Sequence, residues 1–231
     1  MTGNDDQAAS RRDFSLEEAE NSKILMVMEL RRYVADTRVI SALERIPREK
    51  FIPRPFALHA YRNTALPIGC GQTISQPVIV AQMTEALELG DRMRVLEIGA
   101  GSGYQAAVLS QLCRRVYTIE RHKTLLQEAR QRFQELGLSN ITAIHGDGAK
   151  GWPEQAPFDR ILATAAPSET SGVPAVLLSQ LKEDGIMVLP VGPAIGEQML
   201  VKLSRKDGRL IWDRLMPVRF VPLVEGDEAG G

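Results

Sequence analysis

The stretch Val95-Leu-Glu-Ile-Gly-Ala-Gly-Ser-Gly-Tyr104 restricts the fold of this chain more than any other. A short apolar run turns through three alternate glycines, Gly99, Gly101 and Gly103, into a segment whose residues Ala106, Ala107, Leu109 and Leu112 follow a helical period. Strand, glycine loop and helix in that order open the nucleotide-binding units of α/β sheets, because glycine lets the backbone turn sharply and approach a ligand closely. Gly-x-Gly turns also occur without a ligand. Here a second apolar run, Arg115 to Ile119, follows and ends in Glu120, about 20 residues past the glycines, where an acid can accept from ribose hydroxyls.

The loop's own chemistry narrows the nucleotide. A dinucleotide fingerprint carries its third glycine five positions after the first, for close packing of helix on strand. That position is Tyr104, and the third glycine is Gly103. Glu97, at the strand's end, would set a negative charge beside a pyrophosphate. Both features disfavour NAD. S-adenosylmethionine has no phosphate, its carboxylate can sit near the loop amides, and its ammonium suits a neighbouring acid. Taken alone, Glu97 is equally a solvated charge at a strand end.

A chain of 231 residues with 44% hydrophobic content can bury a substantial core in one domain. Lys and Arg total 28 against 29 for Asp and Glu, so no basic field points to nucleic acid or an anionic membrane. Cys70 and Cys113 have neither metal-ligand spacing nor a disulfide framework, and a reducing cytoplasm is the expected compartment. The first apolar run, Ile24 to Met28, is too short to span a membrane and follows acidic residues, so neither signal peptide nor transmembrane helix is expected. His59, His122 and His145 form no metal-ligand pattern and are expected at the surface or in packing.

Taken from its start, the chain opens with about 13 polar residues expected to be frayed. Ser15-Leu-Glu-Glu18 has capping-box spacing and predicts a helix to about Ala35 with Ile24, Leu25, Met28 and Val34 facing inward. Thr37 is the expected cap of a second helix, with Val39, Leu43 and Ile46 inward and Pro47 as its stop. Prolines punctuate residues 51–56, Leu58 to Tyr61 suits a helical turn, and residues 14–65 together read as a helical cover. Leu66 to Pro77 reads as a loop entering a helix at Pro77, whose buried face would be Ile79, Met83, Ala86 and Leu87, closed by Gly90. Thr73 and Ser75 then precede a helix N-terminus, where free amides and the dipole favour a carboxylate. Ser75 or Gln76 could instead serve only as the cap.

Past Glu120, Leu125, Leu126, Ala129, Phe133 and Leu136 are helically spaced with Gly137 as stop. A strand from Ile141 to Ile144 leads into Gly146-Asp147-Gly148, where Asp147 either meets an adenine amine at the crevice or forms an ordinary Asp-Gly turn. Phe158 to Thr164 is a strand, Val173 to Leu181 a helix, and Ile186 to Val191 another strand. Gln198–Leu203 and Leu210–Met216 flank Lys206-Asp-Gly208 as an antiparallel hairpin, and Pro222 suits residues 218–224 to an edge or a loop over a site. The expected fold is α/β: a Rossmann-like doubly wound, mostly parallel sheet with a C-terminal antiparallel hairpin and an N-terminal helical cover, all in one domain over residues 1–231.

From about Ile46 to Val224 the chain resembles the protein L-isoaspartate O-methyltransferases. The resemblance rests on Pro47-Arg-Glu-Lys-Phe51, Leu66-Pro-Ile-Gly69, Gly71-Gln-Thr-Ile-Ser-Gln-Pro77, the glycine loop through Gln105, Gly146-Asp-Gly148, Thr164-Ala-Ala166 and Arg219-Phe-Val-Pro-Leu223. The Gly71–Pro77 stretch is far more specific than a glycine loop. The resemblance sets Ser75 at the active-site serine position, Thr73 beside the methyl donor, and Gly99, Gly101, Glu120, Asp147 and Gly148 on donor contacts. Glu97, Gly103 and Thr164 join them as donor-side candidates. Ile74, Ala165, Val221, Pro222 and Leu223 are the substrate-side candidates. Cys70 sits at a variable position, and the first 20 or so residues are not explained.

The implied reaction moves a methyl group from S-adenosyl-L-methionine to the free α-carboxylate of L-isoaspartyl residues in damaged proteins and peptides, leaving S-adenosyl-L-homocysteine. Activity on D-aspartyl residues is left open. In this family the ester collapses to a succinimide that can reopen to normal aspartate, so the implied role is repair. A carboxylate with a pKa of about 3.5–3.9 is already ionised at neutral pH and needs no general base, hence no catalytic His is expected. The protein's task is to desolvate and align that carboxylate, an orientation effect of up to roughly 7–11 kcal/mol, with Ser75 holding it. The implied partners are isoaspartyl proteins and peptides, with no nucleic acid or membrane, and the protein is expected to act as a monomer. Thr164-Ala-Ala-Pro167 lacks the Asn/Asp-Pro-Pro-aromatic cradle of amino methylation, and neither Cys follows a Pro, which disfavours a nucleic-acid methyltransferase. A methyltransferase of another substrate and a non-catalytic binding module are the alternatives.

Overall fold

The computed structural model describes residues 18, 20–167, 172–193 and 196–226. The cover comprises α1 (residues 20–30), α2 (Thr37–Arg45) and two 3-10 turns, Arg48–Phe51 and Arg54–His59. A two-stranded hairpin follows, β1 (Leu66–Gly69) with β2 (Gln72–Ile74), then α3 (Pro77–Ala86). From there strands and helices alternate: β3 (Arg94–Ile98), α4 (Tyr104–Ser110), β4 (Arg115–Glu120), α5 (Lys123–Glu135), β5 (Ile141–His145), β6 (Phe158–Ala163), α6 (Ala175–Ser179) and β7 (Leu181–Val191). The chain then turns back through β8 (Gln198–Lys206) and β9 (Arg209–Val218).

The main sheet runs β5-β4-β3-β6-β7-β8-β9, parallel as far as β7 and antiparallel through β8 and β9. This is the expected α/β architecture. The chain winds outward from β3 through β4 to β5 and then crosses to β6 on the other side of β3, so a topological switch point lies between β3 and β6. Loops leaving the carboxyl ends of adjacent strands diverge there and open a crevice. Both faces of β3 are covered, as a central parallel strand requires. Val95 packs with the cover helices and α4, whereas Leu96 and Ile98 pack with Phe158, Ile161, Leu177 and Met187.

Several local expectations change. In α1 the inward residues are Met26, Val27 and Leu30, followed by Val34, while Ile24, Leu25 and Met28 are 53%, 66% and 62% exposed. The two sets share the same i, i+1, i+4 spacing on opposite sides of the helix, so periodicity alone cannot choose between them. Thr37 is the first residue of α2; the cap is Asp36, whose carboxylate accepts from the Arg38 amide. Glu85 of α3 accepts from the Ala35 and Asp36 amides at 2.7 and 2.8 Å, a tertiary tie that local sequence cannot disclose. The capping box at Ser15 and the start expected to fray lie outside the described residues.

Where the sequence predicts a loop from Leu66 to Pro77, residues 66–74 form a hairpin. Gly69 pairs with Gln72, leaving Cys70 (φ 50) and Gly71 (φ 67) as a two-residue turn with both φ positive, the twist that suits a tight hairpin. The α3 helix is buried almost all round, at Val78, Val80, Ala81, Met83 and Thr84, and Ile79 and Ala86 are only half-buried. It ends at Ala86, before Gly90, with Glu88 taking the left-handed conformation. The α6 helix is shorter than expected because β7 begins at Leu181. Among the described residues no helix is long and apolar enough to cross a membrane. Cys70 is exposed and Cys113 buried.

Candidate active site

A cavity of about 600 Å³ lies over the carboxyl ends of β3 and β4, walled by the glycine loop, the β2–α3 segment, Thr164 and Ala165 after β6, and a strap of residues 217–224. Its volume falls within the roughly 300–1,000 Å³ of small-molecule sites.

The glycine loop forms one wall. Gly99, Gly101 and Gly103 take φ of 91, 53 and 89°, closed to ordinary side chains. A Cβ at Gly99 would stand 2.6 Å from Thr164 Oγ1, which donates to the Gly99 carbonyl at 2.7 Å and clasps the ends of β3 and β6 together. Gly103 serves a different need and is not on the cavity wall: a Cβ there would lie 2.8 Å from the Phe133 ring, so this glycine lets α5 pack against the start of α4. Glu120 ends β4 at the cavity, 5% exposed. Its Oε2 accepts from the Gly101 amide at 2.7 Å and its Oε1 from the His122 amide at 2.9 Å, which ties the glycine loop to the β4–α5 turn. A carboxylate has about four acceptor sites, so this one keeps capacity for further donors.

Two further candidates stand off the wall. Asp147 is turned away by its own cap geometry: one oxygen accepts from the Ala149 amide at 2.9 Å and the other from the Gly226 amide at 2.8 Å. That is the plain turn reading with an added tie to the tail, while Gly148 lines the cavity. Glu97 is 0% exposed, because strand alternation directs it to the sheet face with Val95 and away from the strand's end. Burial pushes its carboxyl up to about 8, against a hydrogen bond from Thr118 and with a further push from Glu120. The buried acid therefore holds a proton at neutral pH that the unfolded chain, at 4.5, has released. Stability is then full below about 4.5 and falls as pH rises towards about 8. Melting temperatures measured across that range should fall more steeply for the wild type than for Glu97→Gln. Parallel curves would remove Glu97 as the cause.

On the substrate side, Thr73, Ile74 and Ser75 all line the cavity. The N-cap of α3 is Gln76, with no side-chain cap bond. The start of α3 is capped instead by Asn63 from the cover, whose Oδ1 accepts from the Val78 amide at 3.3 Å and whose Nδ2 donates to Glu29 at 3.0 Å. Ser75 is thus freed from the cap, and among the described residues none bonds to its hydroxyl. The strap carrying Val221, Pro222 and Leu223 is held across the site by Ala166, whose amide donates to Val221 O at 2.8 Å and whose carbonyl accepts from Leu223 N at 2.7 Å. Buried Gln198 holds it too, donating to Phe220 O at 3.1 Å and accepting from Phe220 N at 2.8 Å. Neither Asn63 nor Gln198 carried any signal in the sequence, since each acts across tens of residues. His122, expected at the surface or in packing, lines the cavity beside Glu120 because it is the first turn residue before α5. Among the described residues no group of His, Cys, Asp and Glu could hold a metal.

Residues 19–228 match the family model described as protein-L-isoaspartate(D-aspartate) O-methyltransferase. The chain belongs to this family. The protein-L-isoaspartate O-methyltransferase of Parvibaculum lavamentivorans is 60% identical, over 92% of this chain and 96% of that one. Its counterpart from Paramagnetospirillum magneticum is 59% identical, over 91% and 98%. A solved protein-L-isoaspartate O-methyltransferase structure matches with a TM-score of 0.76 at 30% identity, covering 90% of this chain and 66% of that one. A Plasmodium falciparum structure of the same family, in complex with S-adenosyl-L-homocysteine, gives 0.74 at 25% identity, covering 87% and 97%.

For an isoaspartate methyltransferase the methyl donor is S-adenosylmethionine, and the cavity's chemistry fits it. Glycine at 99 and 101 keeps bare backbone on the cavity wall, Glu120 offers acceptors to hydroxyl groups, and the apolar side chains of Ile98 and Ile119 line the cavity close by.

Proposed function

We infer that this chain methylates the free α-carboxylate of L-isoaspartyl residues in damaged proteins and peptides, using S-adenosylmethionine. The observation that carries the reading is a serine hydroxyl to which no described residue bonds, Ser75, in the same cavity as the glycine loop and Glu120. The donor supplies a methyl group on a positively charged sulfur. Glu120 would take the ribose hydroxyls, with Gly99, Gly101, Gly148 and Thr164 shaping the space around the donor and Thr73 at its edge. Ser75 would donate to one oxygen of the substrate carboxylate and present the other for attack. Ile74, Ala165, Val221, Pro222 and Leu223 would cover the isoaspartyl residue and exclude water, strengthening each polar contact inside.

Since the attacking carboxylate is ionised at neutral pH, no side chain need remove a proton. Esterification turns a poor leaving group into a good one, so the neighbouring backbone nitrogen can close a succinimide that reopens to aspartate. A single domain acting as a monomer in the cytoplasm suits this task.

Purified protein incubated with labelled donor should methylate an isoaspartyl peptide and leave the matching aspartyl peptide unlabelled. Binding of S-adenosylhomocysteine without transfer would make the chain a binding module. Transfer only to some other acceptor would redirect the substrate.

A further inference from the structure

We propose that Arg48 is a positioning residue for methyl transfer, holding the Ser75 peptide group fixed against the helix that follows the glycine loop. The proposal rests on the role inferred for Ser75. Arg48 is 0% exposed. Its Nε donates to the Ala60 carbonyl at 2.7 Å and its Nη2 to the Ser75 carbonyl at 2.7 Å. The guanidinium lies 4.7 Å from the ring centroid of Tyr104, the cavity-lining first residue of α4. One side chain therefore joins the cover, the substrate segment and the glycine-loop helix.

Stability alone is a poor account of such a residue. No acid among the described residues forms an ion pair with Arg48, its Nη1 has no well-formed hydrogen bond among them, and its polar neighbour at that end is the neutral phenol of Tyr104. A buried cation without a carboxylate is a costly way to fill space that an apolar side chain of similar volume would fill better. Its direct effect falls on Ser75. No described residue bonds the Ser75 hydroxyl, so the positions it can reach are the staggered rotamers about a Cβ that the backbone places. One of the two peptide planes that place this Cβ is the one whose carbonyl Arg48 holds. Only a planar fork can reach both carbonyls while lying on the Tyr104 ring; a lysine ammonium lacks the second arm.

The test compares Arg48→Lys, Ser75→Ala and the double variant in steady-state methylation of an isoaspartyl peptide, with calorimetric binding of S-adenosylhomocysteine as control. Arg48→Lys should lower kcat by about tenfold to a hundredfold, the scale of a misplacement near 1 Å, while S-adenosylhomocysteine binding stays at the wild-type value. In the Ser75→Ala background the same substitution should change kcat little. A wild-type kcat in Arg48→Lys beside a depressed one in Ser75→Ala overturns the proposal, as do losses that multiply in the double variant. Full kcat in Ser75→Ala overturns the Ser75 reading itself, a separate result. Should Arg48→Lys not fold, Arg48→Gln is read the same way, and failure of both to fold would assign Arg48 to the fold and end the proposal.

Discussion

Ser75→Ala is expected to lower kcat on an isoaspartyl peptide by a hundredfold or more and to leave the melting temperature where it was. Loss of one preorganised donor at a reacting group raises the barrier by about 2.7–4 kcal/mol. The structural half of the expectation follows from where the cap is. If Ser75 capped α3, its removal would cost about 1 kcal/mol of stability. The cap position belongs to Gln76, and the amide that a cap would satisfy, at Val78, is already bonded to Asn63. The matched control is Asn63→Ala, which should show the loss of stability that Ser75→Ala lacks. Steady-state kinetics beside a melting curve on each preparation separate the two roles. Wild-type turnover with a lowered melting point in Ser75→Ala would return the serine to stabilising the helix start.

Glu120→Ala should weaken S-adenosylhomocysteine binding by about 1.5–3 kcal/mol, roughly tenfold to 150-fold in Kd, the scale of charge-assisted hydrogen bonds. Two losses converge. In the proposed role the ribose would lose its acceptor, and the Gly101 and His122 amides lose the carboxylate that ties the glycine loop to the next turn. Glu120→Gln keeps one acceptor oxygen without the charge and should fall between wild type and Glu120→Ala. Calorimetry decides it, and an unchanged Kd for Glu120→Ala would reduce the acid to a buried anchor of the loop.

The parts of the site legible in the sequence were those whose function depends on local backbone geometry. Gly99 and Gly101 announce themselves because their φ of 91 and 53° exclude side chains, and Glu120 because a fixed strand-to-strand interval sets its distance from them. Glu97, Gly103 and Asp147 belong to the same motifs and yet stand off the cavity wall. A motif specifies the path of the chain, whereas the direction of each side chain depends on strand alternation, on the packing of Phe133, and on which amide lies within reach. His122 was passed over because only its place after β4, and no pattern in its own neighbourhood, brings it to the cavity.

Local sequence by itself determined the alternation of strands and helices from β3 to β7, the glycine turn, the C-terminal hairpin and the family. These depend on residues within a few positions of one another, where apolar period and glycine placement leave few solutions. Tertiary structure alone decided which face of α1 turns inward, that residues 66–74 pair as a hairpin, and that Asn63, Glu85, Gln198 and Arg48 bind backbone groups tens of residues away. Two opposed faces of α1 carry the same apolar spacing, so only the surface it meets can distinguish them. A polar side chain that satisfies a distant amide or carbonyl leaves no periodic trace, because its partner comes within reach only once the chain has folded.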